Sequence, residues 1–293
     1  MKIHGAHVAV VGMARSGVAA VELLLAQGAH VVAVDQQPKP NVRLAALGIE
    51  IEQQAESSYA GADLVVLSPG VPADVDLAVA ARKRGVKVIG DLELASWFLE
   101  GDHIGITGAN GKTTTTALAG HILRESRIPS QIGGNIGTPP CSLVGTSRPG
   151  QWNVLELSSF QLETIETFRA RIGSALNLTP DHLDRHYTLE NYSAAKARLF
   201  ENQKSGDFAV LNADDPITRS YRSRTHGEVR WFSVRNKVER GAWLANRTMI
   251  LDENPLMDIS EIPLRGMHNV ENTMLQQSSR NLPVQRTRKF GPP

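Results

Sequence analysis

A single cysteine, Cys141, stands in a chain of 293 residues, so no intrachain disulfide can form and a reducing compartment is favoured. Neither charge sign dominates. With 31 Lys and Arg against 30 Asp and Glu, the net charge of +1 gives no reason by itself to expect a nucleic-acid or membrane partner. Long apolar runs are also missing: the richest stretch, Val18 to Ala26, is interrupted by Glu22 and is too short to span a bilayer. The N-terminus has no basic segment followed by an apolar core, so a cytoplasmic location is expected. What is present is ordinary: 41% apolar and 21% charged residues, which excludes disorder for the chain as a whole and suits two domains of usual size.

Charge is unevenly placed. From Leu275 to Pro293 there are four basic residues, Arg280, Arg286, Arg288 and Lys289, and no acidic ones; the net +1 less this +4 leaves −3 for the preceding 274 residues. With Ser, Gln, Pro and Gly prominent and little helical periodicity, this basic tail is expected to be disordered.

Residues 7 to 11 (HVAVV) form a short apolar run, followed by Gly12, Gly17 and a segment whose Val18, Val21, Leu24 and Leu25 repeat at helical spacing. A second apolar run, VVAV, ends at Asp35. This is a strand-turn-helix-strand opening with Gly-x-Ala-x-x-Gly in the turn, close to a dinucleotide fingerprint but with Ala14 at the middle glycine. Apolar runs at Leu64 to Leu67 and Val86 to Ile89, and helical patterns at Val75 to Arg84 and Leu92 to Leu99, continue the alternation of a parallel sheet covered by helices. The first domain is expected to end near Leu99.

A second unit opens with the run IGIT, which leads directly into Gly108-Ala109-Asn110-Gly111-Lys112-Thr113-Thr114 and a Thr/Ala/Leu-rich helix. Such a loop turns backbone N–H groups toward a phosphate, the helix N-terminus adds partial positive charge, Lys112 adds a full one, and Thr113 offers a hydroxyl to magnesium. Ile106 stands where the strict Gly-x4-Gly-Lys-Thr pattern requires glycine. Downstream, Glu156 ends the run WNVLEL, His182 follows the run SALNL, and Lys196 lies on a predicted helix from Leu189 to Glu201. Each alone suits a surface or hydrogen-bonding role. In a parallel sheet, however, strand carboxyl ends face one crevice, so Glu156 and the loop after Leu178 are expected on the same side as the glycine loop. A nicotinamide-dependent oxidoreductase built on Gly12, Gly17 and Asp35 leaves that loop unused.

Seven separated motifs, GANGKTT (108–114), GGNIG (133–137), LELSSFQLE (155–163), LNLTPDHLDRH (176–186), YSAAKARLFENQ (192–203), LNADD (211–215) and GMHNVEN (266–272), resemble in residues and order the ATP-dependent Mur ligases of peptidoglycan synthesis, and ELSSFQLE resembles the D-glutamate-adding branch. The resemblance implies an α/β chain with a Rossmann-like UDP-sugar-binding domain over 1–99 and a P-loop central ATP-binding domain over 100–274. It implies ATP and Mg2+ as cofactors, UDP-N-acetylmuramoyl-L-alanine and D-glutamate as substrates, no nucleic acid or membrane partner, and a monomer.

By the same resemblance, Gly108, Ala109, Asn110, Gly111, Lys112, Thr113 and Thr114 hold the ATP phosphates, and Asn269 and Asn272 its adenine side. Thr113 and Glu156 bind one magnesium; His182 and Lys196 serve a second, Lys196 as a carbamylated amine. Lys112, His182 and Lys196 are the catalytic candidates. Ser16, Asp35, Gln36 and Gly70 match the uridine-side segment and Asn135 the substrate's linking region, while Arg15 stands where an apolar residue is expected.

Beyond Asn272 the sequence departs from the family pattern, in which a third domain supplies most of the D-glutamate pocket. The expectation is therefore a chain without that domain, as after a frameshift near Thr273 to Leu275, with ligation impaired or lost. The alternative is a catalytically silent remnant that binds UDP-sugar and ATP.

Overall fold

The computed structural model describes residues 2–262 and 269–273. The tail from Leu275, and Gly266 to His268 of the last motif, lie outside the described residues. The chain divides into two compact units. Among the described residues the first comprises 2–100, 137–147 and 160–168, and the second 101–136, 148–159 and those from 169 onward.

In the first unit, β1 (His7–Val11), β2 (His30–Asp35), β3 (Ile51–Gln53), β4 (Leu64–Leu67) and β5 (Lys87–Gly90) form a parallel sheet of order β3-β2-β1-β4-β5. Both faces of β1 are covered: Val8, Ala9, Val10 and Val11 are all buried, which is why the strand reads as an unbroken apolar run. The helix Arg15–Ala26 buries Val18, Val21 and Leu24, three residues whose helical spacing is visible in the sequence, and the helix Asp76–Lys83 occupies the second predicted helical segment. Strand order reverses between β1 and β4, which puts the glycine turn after β1 and the Ser68–Gly70 loop at the carboxyl edge where α/β sheets bind ligands.

The second unit is built on nine strands: β6 (Asp102–Thr107), β7 (Ser130–Gly134), β8 (Trp152–Glu156), β9 (Ile172–Ala175), β10 (Phe208–Asn212), β11 (Glu228–Ser233), β12 (Gly241–Ala245), β13 (Thr248–Leu251) and β14 (Asn254–Asp258). Their order is β14-β13-β12-β11-β10-β9-β6-β8-β7. Pairing is parallel from β7 through β12 and antiparallel for β12-β13-β14. Ile104, Ile106, Val154, Ile172, Val210 and Phe232 make the buried centre. With β6 flanked by β8 and β9, the loops following these three strands share one edge.

Candidate functional site

The glycine loop leaves β6 at Thr107, and two glycines allow the path. Gly111 has φ +84, and an added Cβ would lie 2.8 Å from Asn272 Oδ1; at Gly108, φ +153, it would lie 2.9 Å from Leu176 Cβ. Ile106 is still strand, paired with Ser174 and Glu156, which accounts for the missing first glycine of the strict pattern: the turn begins two residues later. The helix Lys112–Glu125 starts directly after Gly111, and the N–H groups of its first turn have no partners within the helix.

Asn177, in the loop after β9, clasps the glycine loop. Its carbonyl accepts from Ala109 N at 2.9 Å, its Oδ1 accepts from Asn110 N at 2.9 Å, and its Nδ2 donates to Asn110 O at 3.2 Å. Lys112 Nζ donates to Ala109 O at 2.8 Å. Burial lowers the Lys112 pKa, while the carboxylates of Glu156 and Asp181 oppose that shift.

Thr113 and Glu156 are brought together: Thr113 Oγ1 donates to Glu156 Oε2 at 2.8 Å. The other carboxylate oxygen accepts from Asn135 Nδ2 at 3.2 Å, and Asn135 N donates to Glu156 O at 2.8 Å, so Asn135 is seated on Glu156. Lys196 is 2% exposed and donates to Gly108 O at 2.9 Å. Its Nζ also sits 4.7 Å above the Tyr192 ring. Burial first, then Lys112, pulls the Lys196 pKa down to about 7 against the attraction of Asp181 and Glu156, so a large fraction of its amine is neutral near physiological pH.

His182 is exposed and in the left-handed region at φ 51, with Nε2 3.5 Å from Asp181 Oδ2 and its ring edge-on to Tyr192 at 6.1 Å. Among the described residues no group of three His, Cys, Asp or Glu side chains forms a metal-binding cluster. Thr113 and Glu156 supply a hydroxyl and a carboxylate side by side, the hard oxygen donors that magnesium prefers. Asn272 is buried against Gly111, and its Nδ2 donates to Asn269 Oδ1 at 3.3 Å.

In the first unit, Asp35 braces the glycine turn, with Oδ2 accepting from Met13 N at 2.7 Å and Oδ1 from Gln37 N at 2.8 Å. Gln36 is exposed and its carbonyl accepts from Gln53 Nε2; Gly70 is exposed, with open space where a side chain would go. Ser68 Oγ donates to Gly12 O at 2.6 Å, and Arg15 donates to Gly137 O. Ser16 approaches the carboxylate of Asp91, a fully buried acid whose pKa burial raises to about 6 although Ser16, the Leu92 amide and Gln161 ease its charged form. Those approaches fall short of good hydrogen-bond geometry, and among the described residues neither Asp91 carboxylate oxygen has a well-formed partner. The Cys141 thiol donates to the Asp91 carbonyl and is buried, which raises its pKa.

Sequence reasoning passed over Asn177 and Asp181, although both lie inside the LNLTPDHLDRH string, because neither type signals chemistry without its neighbours. It also left LNADD without a task. Asn212 Nδ2 donates to Leu176 O at 2.8 Å and Asp215 Oδ2 accepts from Leu178 N at 2.9 Å, so that motif holds the loop that clasps the phosphate loop.

A largely parallel sheet with a glycine-rich loop opening a helix, a threonine-carboxylate pair and a buried lysine at its carboxyl edge is the layout of an α/β domain of the P-loop type. The Mur ligase middle domain matches residues 106–276, and the N-terminal domain of the MurD-like Mur ligases matches residues 6–90. The chain belongs to the Mur ligase family. It is 54% identical over 275 residues to the UDP-N-acetylmuramoylalanine–D-glutamate ligase of Solibacter usitatus, and 44% identical over 285 residues to that of Koribacter versatilis. Each match covers 94% of this chain but only 62% and 63% of those relatives, so the chain spans less than two thirds of their length.

Among solved structures, a UDP-N-acetylmuramate:L-alanyl-γ-D-glutamyl-meso-diaminopimelate ligase from Neisseria is similar at TM-score 0.64 and 19% identity, covering 96% of this chain and 95% of that one. The UDP-N-acetylmuramate-alanine ligase of Thermotoga maritima matches at TM-score 0.56 and 22% identity, covering 92% and 64%. These share the fold. Among the described residues, no helix is long and apolar enough to cross a membrane.

Proposed function

We propose that this chain carries the UDP-sugar-binding and ATP-binding parts of a cytoplasmic ligase that joins D-glutamate to UDP-N-acetylmuramoyl-L-alanine in peptidoglycan precursor synthesis. The observation that carries the reading is the gathering of Lys112, Thr113, Glu156 and Lys196 around one phosphate loop, in a chain 54% identical to a relative of that name. In the proposed reaction the muramoyl-alanine carboxylate attacks the γ-phosphate of ATP, giving an acyl phosphate and ADP. The D-glutamate amine then adds to the acyl carbon, its nitrogen gives up a proton to solvent, and phosphate leaves from the tetrahedral intermediate.

The obstacle is charge, because a carboxylate must approach a polyanionic triphosphate. Catalysis of such a step rests on positioning and on cations and donors aimed at the transferring phosphoryl group. Lys112 and the amides of Gly111 to Thr114 would bind the phosphates, the amides of Ala109 and Asn110 being held by Asn177, and Asn269 and Asn272 would serve the adenine side. Thr113 and Glu156 would hold one magnesium, which supplies neutralisation of phosphoryl oxygens when bound.

Lys196 reaches the same edge with a desolvated amine. Carbon dioxide adds to the neutral nitrogen, a C–N bond forms, and the displaced proton leaves to solvent, giving an anionic carbamate with two oxygen donors. With His182, that carbamate would hold a second magnesium. By the family resemblance, Ser16, Asp35, Gln36 and Gly70 would serve the uridine side and Asn135 the substrate's linking region.

Titration calorimetry of the full chain with magnesium-ATP, UDP-N-acetylmuramoyl-L-alanine and NAD tests the reading. Binding of the first two and not the third is expected; binding of NAD without ATP would overturn it.

A further inference from the structure

The loop after β9 carries His182 and is held in two different ways. Its first half is fixed to the sheet edge by Leu176 N to Thr107 O, Ala109 N to Asn177 O, and Leu178 N to Asp215 Oδ2. Its second half is a tight turn. Here His186 N donates to His182 O, Tyr187 N to Leu183 O, and Thr188 N to His186 O, bonds that close the turn on itself. The turn is also conformationally unfavourable, since neither His182 (φ 51) nor Tyr187 (φ 65, ψ −41) is glycine. Residues held in such regions persist where surrounding structure fixes them.

One contact that fixes the turn comes from far along the chain. His186 Nε2 lies 2.9 Å from Ser159 Oγ, and His186 is 5% and Ser159 1% exposed. Ser159 follows Glu156 by three residues at the end of β8, where Leu157 is itself pinned by Leu157 N to Ile106 O and by Thr107 Oγ1 to Leu157 O. From the other side, Asn191 Nδ2 donates to His186 O at 3.0 Å. The His186 ring lies 5.3 Å from that of Tyr192, which also stands edge-on to His182 and beneath Lys196.

We propose that His186 and Ser159 form a buried positioning pair that fixes the strained turn bearing His182 to the strand end bearing Glu156. Neither touches a reacting atom; their effect is transmitted through the placement of His182. The proposal rests on the reading above that His182 serves a magnesium.

The test is magnesium half-saturation of nucleotide binding, measured by calorimetry on the full chain with a non-hydrolysable ATP analogue, alongside affinity for the same analogue in EDTA. His186→Phe keeps a ring and removes the bond. It should raise the half-saturation roughly tenfold, as loss of a partner that orients a metal ligand commonly does, and leave the EDTA affinity unchanged. His186→Gln places an amide nitrogen near the position of Nε2 and should restore most of the effect. Ser159→Ala should match His186→Phe, and the double variant should be no worse than either single one. If His186→Phe fails to fold, Ser159→Ala decides alone.

A folded His186→Phe or Ser159→Ala protein with wild-type magnesium half-saturation overturns the proposal, as does an equal loss in EDTA. His182→Ala separates the two readings. If it leaves the half-saturation unmoved, the metal role of His182 fails; if it raises the half-saturation while His186→Phe and Ser159→Ala do not, only the positioning pair fails.

Discussion

Thr113 and Glu156, 43 residues apart in sequence, meet through a hydrogen bond of 2.8 Å from the threonine hydroxyl to the carboxylate. That contact joins the start of the phosphate-loop helix to the end of β8 and places two hard oxygen donors side by side. Glu156→Gln keeps the shape and removes the charge, so it should weaken magnesium-dependent nucleotide binding by roughly tenfold or more while leaving metal-free binding within about twofold. Calorimetry with and without EDTA checks this, and equal losses in both conditions would contradict it.

Lys112→Ala should reduce affinity for ATP by roughly a hundredfold, with little change for adenosine, because a charge-assisted contact to the phosphates is lost. Competition binding with the two ligands measures the contrast. Similar losses for both would place Lys112 away from the phosphates.

Lys196 should take up carbon dioxide. In 13C-bicarbonate at pH 8 the full chain should give a carbamate resonance that is absent in Lys196→Ala. Arginine cannot form the same group, so Lys196→Arg should restore neither the resonance nor ligation in any form of the protein that ligates. Full turnover by Lys196→Arg would defeat the assignment.

Glu93 and Asp91, two residues apart on the helix Asp91–Ser96, predict opposite pH responses. The Glu93 carboxylate is buried and accepts from the backbone N–H groups of Glu166, Thr167 and Phe168, from Thr167 Oγ1 and from Trp97 Nε1. Burial pushes its pKa up, but these donors outweigh it and the value falls below 4.5. Its contribution is therefore present above pH 4.5 and is lost as pH falls through the lower folded value. Glu93→Ala leaves these donors without their acceptor and should cost roughly 2–4 kcal/mol at pH 7 by urea unfolding, with a smaller difference near pH 3.

For Asp91 the folded pKa is raised from 3.8 to about 6, so the folded state holds its proton more tightly than the unfolded chain. The associated stability is complete below 3.8 and is lost as pH rises through about 6. Asp91→Asn should thus be more stable than the wild type at pH 8 and similar to it at pH 3.5, by thermal unfolding at both values. A variant less stable at pH 8 would show that the charged carboxylate has a donor.

Much of the site was legible because it is local. The glycines, Lys112 and Thr113 lie in seven consecutive residues after an apolar strand, and their chemistry follows from that spacing. The parallel architecture was equally readable, since β1, β4 and β6 are apolar runs separated by helical periodicity. The antiparallel strands β13 and β14 were not read, and neither were the tasks of Asn177, Asn212 and Asp215. Each of these three side chains depends on a partner 36 to 67 residues away, which no local pattern specifies. Asp35 shows the same limit: its position after β2 marks the ligand side of the sheet, and only the structure shows that its carboxylate also holds two backbone amides.

By itself the sequence determined the elements and the chemical groups: one cysteine, no bilayer-spanning run, two strand-and-helix alternations, and a phosphate loop followed by an acid, a histidine and a lysine. Tertiary structure decided which of these meet and in what state. Parallel pairing sets the ends of β6, β8 and β9 on one edge, so Thr113 reaches Glu156 and Asn177 clasps the loop. Folding also desolvates Lys196, because burial disfavours its charge, and satisfies Glu93 while Asp91, among the described residues, has no donor of good geometry. Such differences between residues of the same type arise from the surroundings that long-range packing assembles, and those surroundings exist only in the folded chain.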